Sequence, residues 1–460
     1  MFNYPHFETI FNTVFTGGAY TFLIDKSKLS PLLIVNVSDW QNSIIADYVY
    51  QDFYERYFFD SLEDFFNKTK PSAVSINHLI WSPKLNYLIP KLLSLFVDIE
   101  LKIYIHDFYS LCPTIHLLDY KQEYCNLPNI TVCNNCLREL LYNNLFSQSK
   151  QEIESSYYVH NCHIEHWRKL WHPLFNYATT IILPSQSAAN LWLRIYPQFK
   201  NKLRIIQHNL NYLSNIVKKI SEPNLYFDVY VIGHIQEHKG RKIIHDILES
   251  IKNRTISIRI HILGEYVDDI FFNTSYLRIY GKYSHYEIIN LLNNNKIDCF
   301  LMPSICPETF SYTAHEMMAT GLPIISFNLG AQGEFISKYP YGVVVDTISA
   351  ERMFDKLYEQ YIQYLAKFYP ILLMNISSDI RNEIIPIIIK TISLKLELID
   401  ISSVYETKTI QLKNENIKLA NEIHLLKNEL SNVFNSRSWK ISQIIISIFK
   451  SFKKLLFLFR

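Results

Sequence analysis

The sequence predicts an α/β protein of two doubly wound, Rossmann-like domains, followed by a coiled-coil helix and an amphipathic C-terminal segment. Three observations predict it. Short β-rich runs alternate with longer stretches of helical spacing, the pattern of a mostly parallel sheet with helices on both faces. The alternation occurs twice, on either side of a polar link at about 212–225. Glycine is scarce: ten in 460 residues, eight of them between Gly233 and Gly342, against an average usage of roughly 7%. Glycines that survive such depletion mark places where a Cβ is not tolerated, so the second half is where backbone approaches a ligand or turns tightly. Ordinary loop glycine is the alternative at any single position.

Composition narrows the class. With 48% apolar and 19% charged residues, the chain is neither disordered nor collagen-like. A net charge of +2 gives no support to a nucleic-acid partner. The many aromatics, 32 Tyr and 29 Phe, read first as a compositional bias. Seven cysteines, an odd number, do not suit a secreted disulfide framework. No Lys or Arg precedes Lys26, so the N-terminus lacks the basic start of a signal peptide. No apolar run approaches the ~20 residues that span a bilayer. The expected location is the cytoplasm, with reduced thiols.

The first domain is expected over 1–211. Its strands are LLIVNVSD (32–39), SAVSINHL (72–79), LKIYIHD (101–107) and TTIILPS (179–185), and the segment YVYQDFYERYFFDSLEDFF between them has helical spacing. Ligands of such sheets bind at the carboxyl ends of the strands, which places His106–Asp107 and Pro184–Ser185 at the binding edge. The second domain is expected over 226–395. Its strands are FDVYVIG (227–233), SIRIHILG (257–264), LRIYG (277–281), DCFLMPS (298–304), PIISF (323–327) and GVVVD (342–346). The segment 351–395 reads as helical and able to cross back towards the first domain.

From 401 to 434 the pattern is a coiled coil. Leu412, Leu419, Leu426 and Val433 repeat every seven residues, Ile423 and Leu430 fill the offset stripe, and Asn416 falls in an a position, which suits a homodimer. A single amphipathic helix on the protein's own surface is the alternative. Residues 435–460 carry six basic residues and no acid, interleaved with Trp439, Phe449, Phe452, Phe457 and Phe459. A basic amphipathic segment of this kind suits the surface of an anionic leaflet, with a docked core helix as the alternative. The protein is therefore expected to lie at the inner face of the membrane.

The chemistry concentrates in PSICPETFSYTAHEMMATGLPII (303–325). A strand ends near Ser304, a loop carries Glu308, and a helix starts near Ser311 with Glu316 on it. Eight helical residues span roughly 12 Å. Two carboxylates so placed can hold hydroxyls at opposite ends of an elongated ligand, and the helix start between them suits a phosphate. Hydroxyl, phosphate, hydroxyl is the layout of a nucleotide-sugar.

The whole segment resembles the E-x7-E signature of family-4 retaining glycosyltransferases of GT-B fold. Glu308, Phe310, Glu316, Met318, Ala319, Gly321 and Pro323 match in place, while Ser311 replaces the usual Gly and Met317 the usual Ala. The resemblance implies that Glu308 contacts the donor sugar, that Glu316 contacts the nucleotide ribose, and that the backbone of Phe310, Ser311 and Tyr312 meets the diphosphate. VIGHIQEHKG (231–240) is similar to the family's G-R-x(4)-K-G element, with Lys239 for the diphosphate, Gly240 after it, and His234 where Arg is usual. Arg241 is the candidate substitute. Gly17 and Gly18 resemble the first-domain glycine loop beside donor phosphate and acceptor. His106 resembles the first-domain histidine that meets the donor sugar across the cleft.

HDFYSLCPTIHLLDYKQEYC with the CNNC that follows resembles members that assemble polysaccharide or O-antigen chains. Cys112, Cys125, Cys133 and Cys136 are candidate ligands of a structural zinc, with free buried thiols as the alternative. His160, His163 and His166 are read as one helix face rather than a second metal cluster. The resemblance thus implies a retaining transferase of cell-surface polysaccharide synthesis, taking a nucleotide-sugar donor and a glycan or lipid-linked acceptor. No D-x-D metal clamp presents itself, so no catalytic cofactor is expected. The rivals are a non-catalytic membrane-associated scaffold with a degenerate fold, and another sugar-nucleotide enzyme such as an epimerase.

Overall fold

In the computed structural model the described residues are 7–13, 17–80, 82, 84–142, 163–224, 226–254, 256–266, 274–284 and 287–368. The coiled-coil and tail readings at 401–434 and 435–460 lie outside them, as do His160 and the helical expectation beyond Phe368.

Two sheets are built. The first has the order β4-β3-β2-β1-β5-β6-β7-β8, from β1 (Glu8–Asn12), β2 (Leu32–Asn36), β3 (Ile44–Tyr50), β4 (Phe53–Phe59), β5 (Ala73–Ile76), β6 (Glu100–Tyr104), β7 (Thr180–Leu183) and β8 (Leu203–Ile205). β1 pairs in parallel with β2 and β5, and the parallel run continues through β6 and β7 to β8. The edge is different: β2–β3 and β3–β4 are antiparallel.

That hairpin corrects one sequence reading. Most of YVYQDFYERYFFDSLEDFF is strand, and only Leu62–Thr69 is helix. Aromatic and Val positions favour a pleated surface, and Gln51 supplies the left-handed turn residue with φ 52°. Asp47 then lies directly opposite Arg56. Arg56 donates two bonds to its carboxylate, at 2.7 and 3.0 Å, a bidentate cross-strand pair that fixes the register.

The second sheet has the order β11-β10-β9-β12-β13-β14, from β9 (Phe227–Ile232), β10 (Ile258–Leu263), β11 (Leu277–Ile279), β12 (Cys299–Met302), β13 (Ile324–Phe327) and β14 (Gly342–Val345). Every pairing in it is parallel. This is the doubly wound order, which reverses direction between β9 and β12. β9 and β10 are buried at every residue, as expected of strands covered on both faces. The helix Ala350–Phe368 packs Met353, Phe354, Leu357 and Tyr361 into this domain's own core, so its described part does not cross to the first domain.

Much of the aromatic surplus is structural. Phe11 on β1 is fully buried and meets Phe65, Phe66 and Phe96 at ring separations of 6.0–6.1 Å. Trp192, Phe175 and Tyr196 form a second knot under β7. Among the described residues no helix is long and apolar enough to cross a membrane.

The Phe11 cluster generates a test. Phe11→Ala should lower the stability of the first domain by about 3–5 kcal/mol, read as a shift of the urea midpoint.

Candidate functional site

The carboxyl ends of the two sheets meet, and the loop after β12 is the wedge between them. Thr309 is held from the first domain twice: its hydroxyl donates to the His106 carbonyl at 2.7 Å, and its own carbonyl accepts from Ser185 Oγ at 2.7 Å. Ser185 also caps the helix Gln186–Leu193, and the Ser187 amide donates to Glu334 Oε2 at 2.7 Å. Both polar strand ends of the first domain, at His106 and Ser185, therefore stand at this seam.

Glu308, one residue before Thr309, is positioned from below. Its amide donates to Gln332 Oε1 at 2.9 Å, and Gln332 Nε2 donates to the Cys306 carbonyl at 2.8 Å. Gln332 is wholly buried, so its side chain clips the loop at two points. Sequence reasoning missed it, because a glutamine inside a helix carries no motif. The side chain of Glu308 accepts from Lys239 Nζ at 2.5 Å and from Ser304 Oγ at 3.1 Å. Burial opposes both charges. The Lys239 ammonium nevertheless holds Glu308 below the usual carboxylate range, and Glu308 holds Lys239 above its own.

Two glycines make this pair geometrically available. Gly240 has φ +82°, and a Cβ on it would lie 2.0 Å from the Pro303 carbonyl oxygen; Gly330 has φ +57°, and its Cβ would lie 2.6 Å from the Glu308 amide nitrogen. Both clashes are with backbone, which cannot give way as a flexible side chain can. The loop carrying Lys239 and the helix carrying Gln332 can approach the Glu308 loop only without a Cβ.

Ser311 holds φ 72° and ψ 83°, a left-handed conformation, and its hydroxyl caps the helix Tyr312–Ala319 by accepting from Ala314 N. The backbone thus adopts at Ser311 the turn for which glycine is the usual residue. Phe310 is buried and stacks on His315 at 4.6 Å and 17°. It also packs on His208 at 4.4 Å.

Glu316, on the same helix, is 3% exposed. It accepts from the Tyr212 hydroxyl at 2.9 Å. Burial pushes its carboxyl up to about 7, and Tyr212 opposes the shift. Tyr212 belongs to the 3-10 turn Asn211–Asn215, which sequence reasoning treated as a polar link. That link lies along the second domain: the Lys219 amide donates to the Thr320 carbonyl at 2.7 Å.

The remaining sequence-predicted residues are placed as follows. Gly17 opens the helix Gly17–Ser27 with φ +72°, and Gly18 faces the Tyr312 ring, which a Cβ would meet at 3.5 Å. The His106 ring lies among Phe22, Tyr104 and His208; among the described residues neither of its nitrogens has a hydrogen-bond partner. His234 pairs with Glu265 at 3.0 Å. Arg241, the candidate substitute for the missing arginine, turns to Glu237 instead, with Nε 2.8 Å from Oε1.

Cys112, Cys125, Cys133 and Cys136 gather on the flank of the first domain's core, close enough that Cys112, Cys125 and Cys136 each sense others of the set. No group of three or more His, Cys, Asp or Glu that could hold a metal ion exists among the described residues. As placed, the four do not fit a zinc centre. Cys112 Sγ lies 3.3 Å from Thr114 Oγ1, Cys133 Sγ donates to the Pro128 carbonyl at 3.5 Å, and Arg168 donates to Cys133 Sγ at 3.9 Å. Burial pushes the Cys125 and Cys136 thiols up to about 12.

Residues 214–361 match the family model described as "Glycosyl transferases group 1", less than half of the chain. No curated protein matches. Three similar solved structures span most of both chains. Anabaena Alr3699/HepE in complex with UDP-glucose shares 12% identity over 93% of this chain and 99% of its own, with a TM-score of 0.46. The catalytic domain of starch synthase IV from Arabidopsis thaliana bound to ADP and acarbose shares 10% over 85% and 98%, at 0.47. A glycosyltransferase from Rickettsia africae ESF-5 shares 14% over 88% and 99%, also at 0.47. At these TM-scores none of the three bears on activity or ligand.

The site generates two tests. Gly240→Ala should separate the Lys239 loop from Glu308 and lower the thermal midpoint, whereas Ser311→Gly should leave it within a few degrees. In Ser311→Gly, relief of a left-handed residue offsets the lost cap. The second concerns pH. Burial lowers His106 and His315, and takes His116, His208 and His238 down to about 4, 3 and 2. Imidazoles with depressed folded values contribute stability above about pH 6.5 and lose it as pH falls below that. Glu316 works in the opposite direction below about pH 7. Burial also lowers His172 and His261, and it pushes Asp107 and Asp298 up to about 6, so both act with Glu316. Seven imidazoles outweigh three carboxyls, so the thermal midpoint should be lower at pH 5.5 than at pH 7.5.

Proposed function

We propose that the chain is a retaining glycosyltransferase of GT-B type, moving a sugar from a nucleotide-sugar donor to a glycan or lipid-linked acceptor in polysaccharide assembly. The observation that carries this reading is the joint placement of Lys239, Glu308 and Glu316 where the second sheet reverses order, at the seam with the first domain. The matched glycosyl transferase segment includes all three.

The roles follow from charge and position. Lys239 is a partly exposed cation whose partner is a single carboxylate, so an arriving diphosphate can reach it, competes for it and is stabilised as it leaves. Glu308, released from Lys239, accepts hydroxyls of the sugar. Glu316 with Tyr212 receives the ribose at the far end of the helix start. Little covalent chemistry falls to the protein: the leaving diphosphate oxygen takes the acceptor proton on the face from which it departs, and the enzyme supplies orientation. His106 and the Gly17–Gly18 turn form the first-domain side. The basic tail at 435–460 would bring the enzyme to the membrane that holds the acceptor, and the segment at 401–434 would pair two chains.

The rival reading, a non-catalytic scaffold, is favoured by one observation: Arg241 is committed to Glu237 and Lys239 to Glu308. Release of sugar from a donor, to acceptor or to water, separates the two readings.

Calorimetric titration with uridine, adenosine and guanosine diphosphates tests the site directly. One of them should bind, and Lys239→Ala should weaken it by about 10- to 100-fold, the range expected for a lost charge-assisted hydrogen bond of 1.5–3 kcal/mol. Unchanged affinity in Lys239→Ala would remove the assignment.

A further inference from the structure

The first domain sends a loop across the seam that the proposed roles do not use. His116 lies at its base, immediately before the pairing of Leu117 with Cys125. Its ring stacks on that of His238 with centroids 4.0 Å apart and planes within 7°. His238 immediately precedes Lys239, and its carbonyl accepts from the Ile305 amide at 3.1 Å, so it belongs to both loops that build the Lys239–Glu308 pair. The charges of Lys239 and Glu308 are felt at His116 itself. The groups facing the two stacked rings are thus Lys239, Glu308 and, beside His238, His234.

The backbone around His116 is unusual. Ile115 and Leu117 have φ of +62° and +55°, and Gln122, Asn126 and Leu127 are also left-handed. A β-branched residue in that region is an outlier, and left-handed L-residues are strained. Such strain persists only where the surroundings over-determine it, and it clusters at functional positions. Here the surroundings are visible. Leu117 is fully buried, the Cys125 amide donates to the Leu117 carbonyl at 3.0 Å, and Leu118 bridges Tyr124. Arg194 donates to Asn126 Oδ1 and to the Asn126 carbonyl at 2.7 and 2.8 Å. The loop is clamped beside His116, whose ring is thereby held against His238.

We propose that His116 is a further polar contact from the first domain, beside His106, to the group gripped by Lys239 and Glu308, and that it aligns the transferred sugar; this rests on the donor-site reading above. A neutral imidazole so held has one donor and one acceptor nitrogen, which suits a sugar hydroxyl. Its stacking partner fixes the ring plane.

The experiment keeps this inference and the donor-site reading apart. Wild type, His116→Ala and His116→Gln are titrated with the three nucleoside diphosphates, and donor consumption is followed with the UDP-, ADP- and GDP-sugars of glucose and mannose. The expected result is unchanged diphosphate affinity, within threefold, in both variants. Turnover should fall at least tenfold in His116→Ala with little change in KM for the donor, and His116→Gln should recover part of it. Equal turnover in wild type and His116→Ala overturns the inference while leaving the donor site intact, as does loss of diphosphate affinity in step with turnover. Absence of any diphosphate binding or donor consumption by the wild type overturns the donor-site reading, and the inference falls with it.

Discussion

The structure depends on one ion pair held where two sheets meet. Lys239 and Glu308 come from different loops of the second domain, and neither would be placed without supports that carry no charge. Gly240 lets one loop lie on the Pro303 carbonyl, Gly330 lets a helix reach the other, and Gln332 ties that second loop at Cys306 and Glu308. Burial disfavours both charges, and each compensates for the other. Truncating Lys239 leaves the largely buried Glu308 carboxylate without its cation, which is more damaging than the net worth of the pair suggests.

The second domain was almost wholly legible in the sequence. Its six strands are short β-rich runs ending at Gly or a polar residue, mostly apolar although Asp228, Arg259, His261 and Arg278 lie within them, and its glycines survive a general depletion because several face backbone at under 3 Å. The first domain was less legible at its edge. YVYQDFYERYFF has aromatics at spacings that satisfy both a helix and a strand, and the turn between β3 and β4 uses Gln51 rather than Gly or Asn, so no turn signal marked the hairpin. The same substitution of other residues for glycine hid the strained loop around His116.

The site was legible where it depends on residue type and hidden where it depends on a carbonyl or an amide. Glu308, Glu316, Lys239 and Gly240 stand out in the chain. Thr309 does not, because it acts by bonding to a main-chain oxygen of the other domain. Tyr212 does not, because it sits in a link whose composition reads as solvent-exposed, and only the fold carries it to Glu316. The cysteines show the converse. Their spacing suggests a metal, yet the folded chain sets them among backbone and hydroxyl acceptors as thiols.

The clasp at Thr309 has a kinetic consequence. Its two bonds, to the His106 carbonyl and from Ser185, join the halves of the molecule one residue from the ion pair, so any parting of those halves at this point must break them. Each bond is modest by itself, about 0.5–1.5 kcal/mol, which makes the clasp a latch rather than a lock. On the proposed reading, weakening these two bonds would change how readily the halves part without altering any group assigned to the ligand.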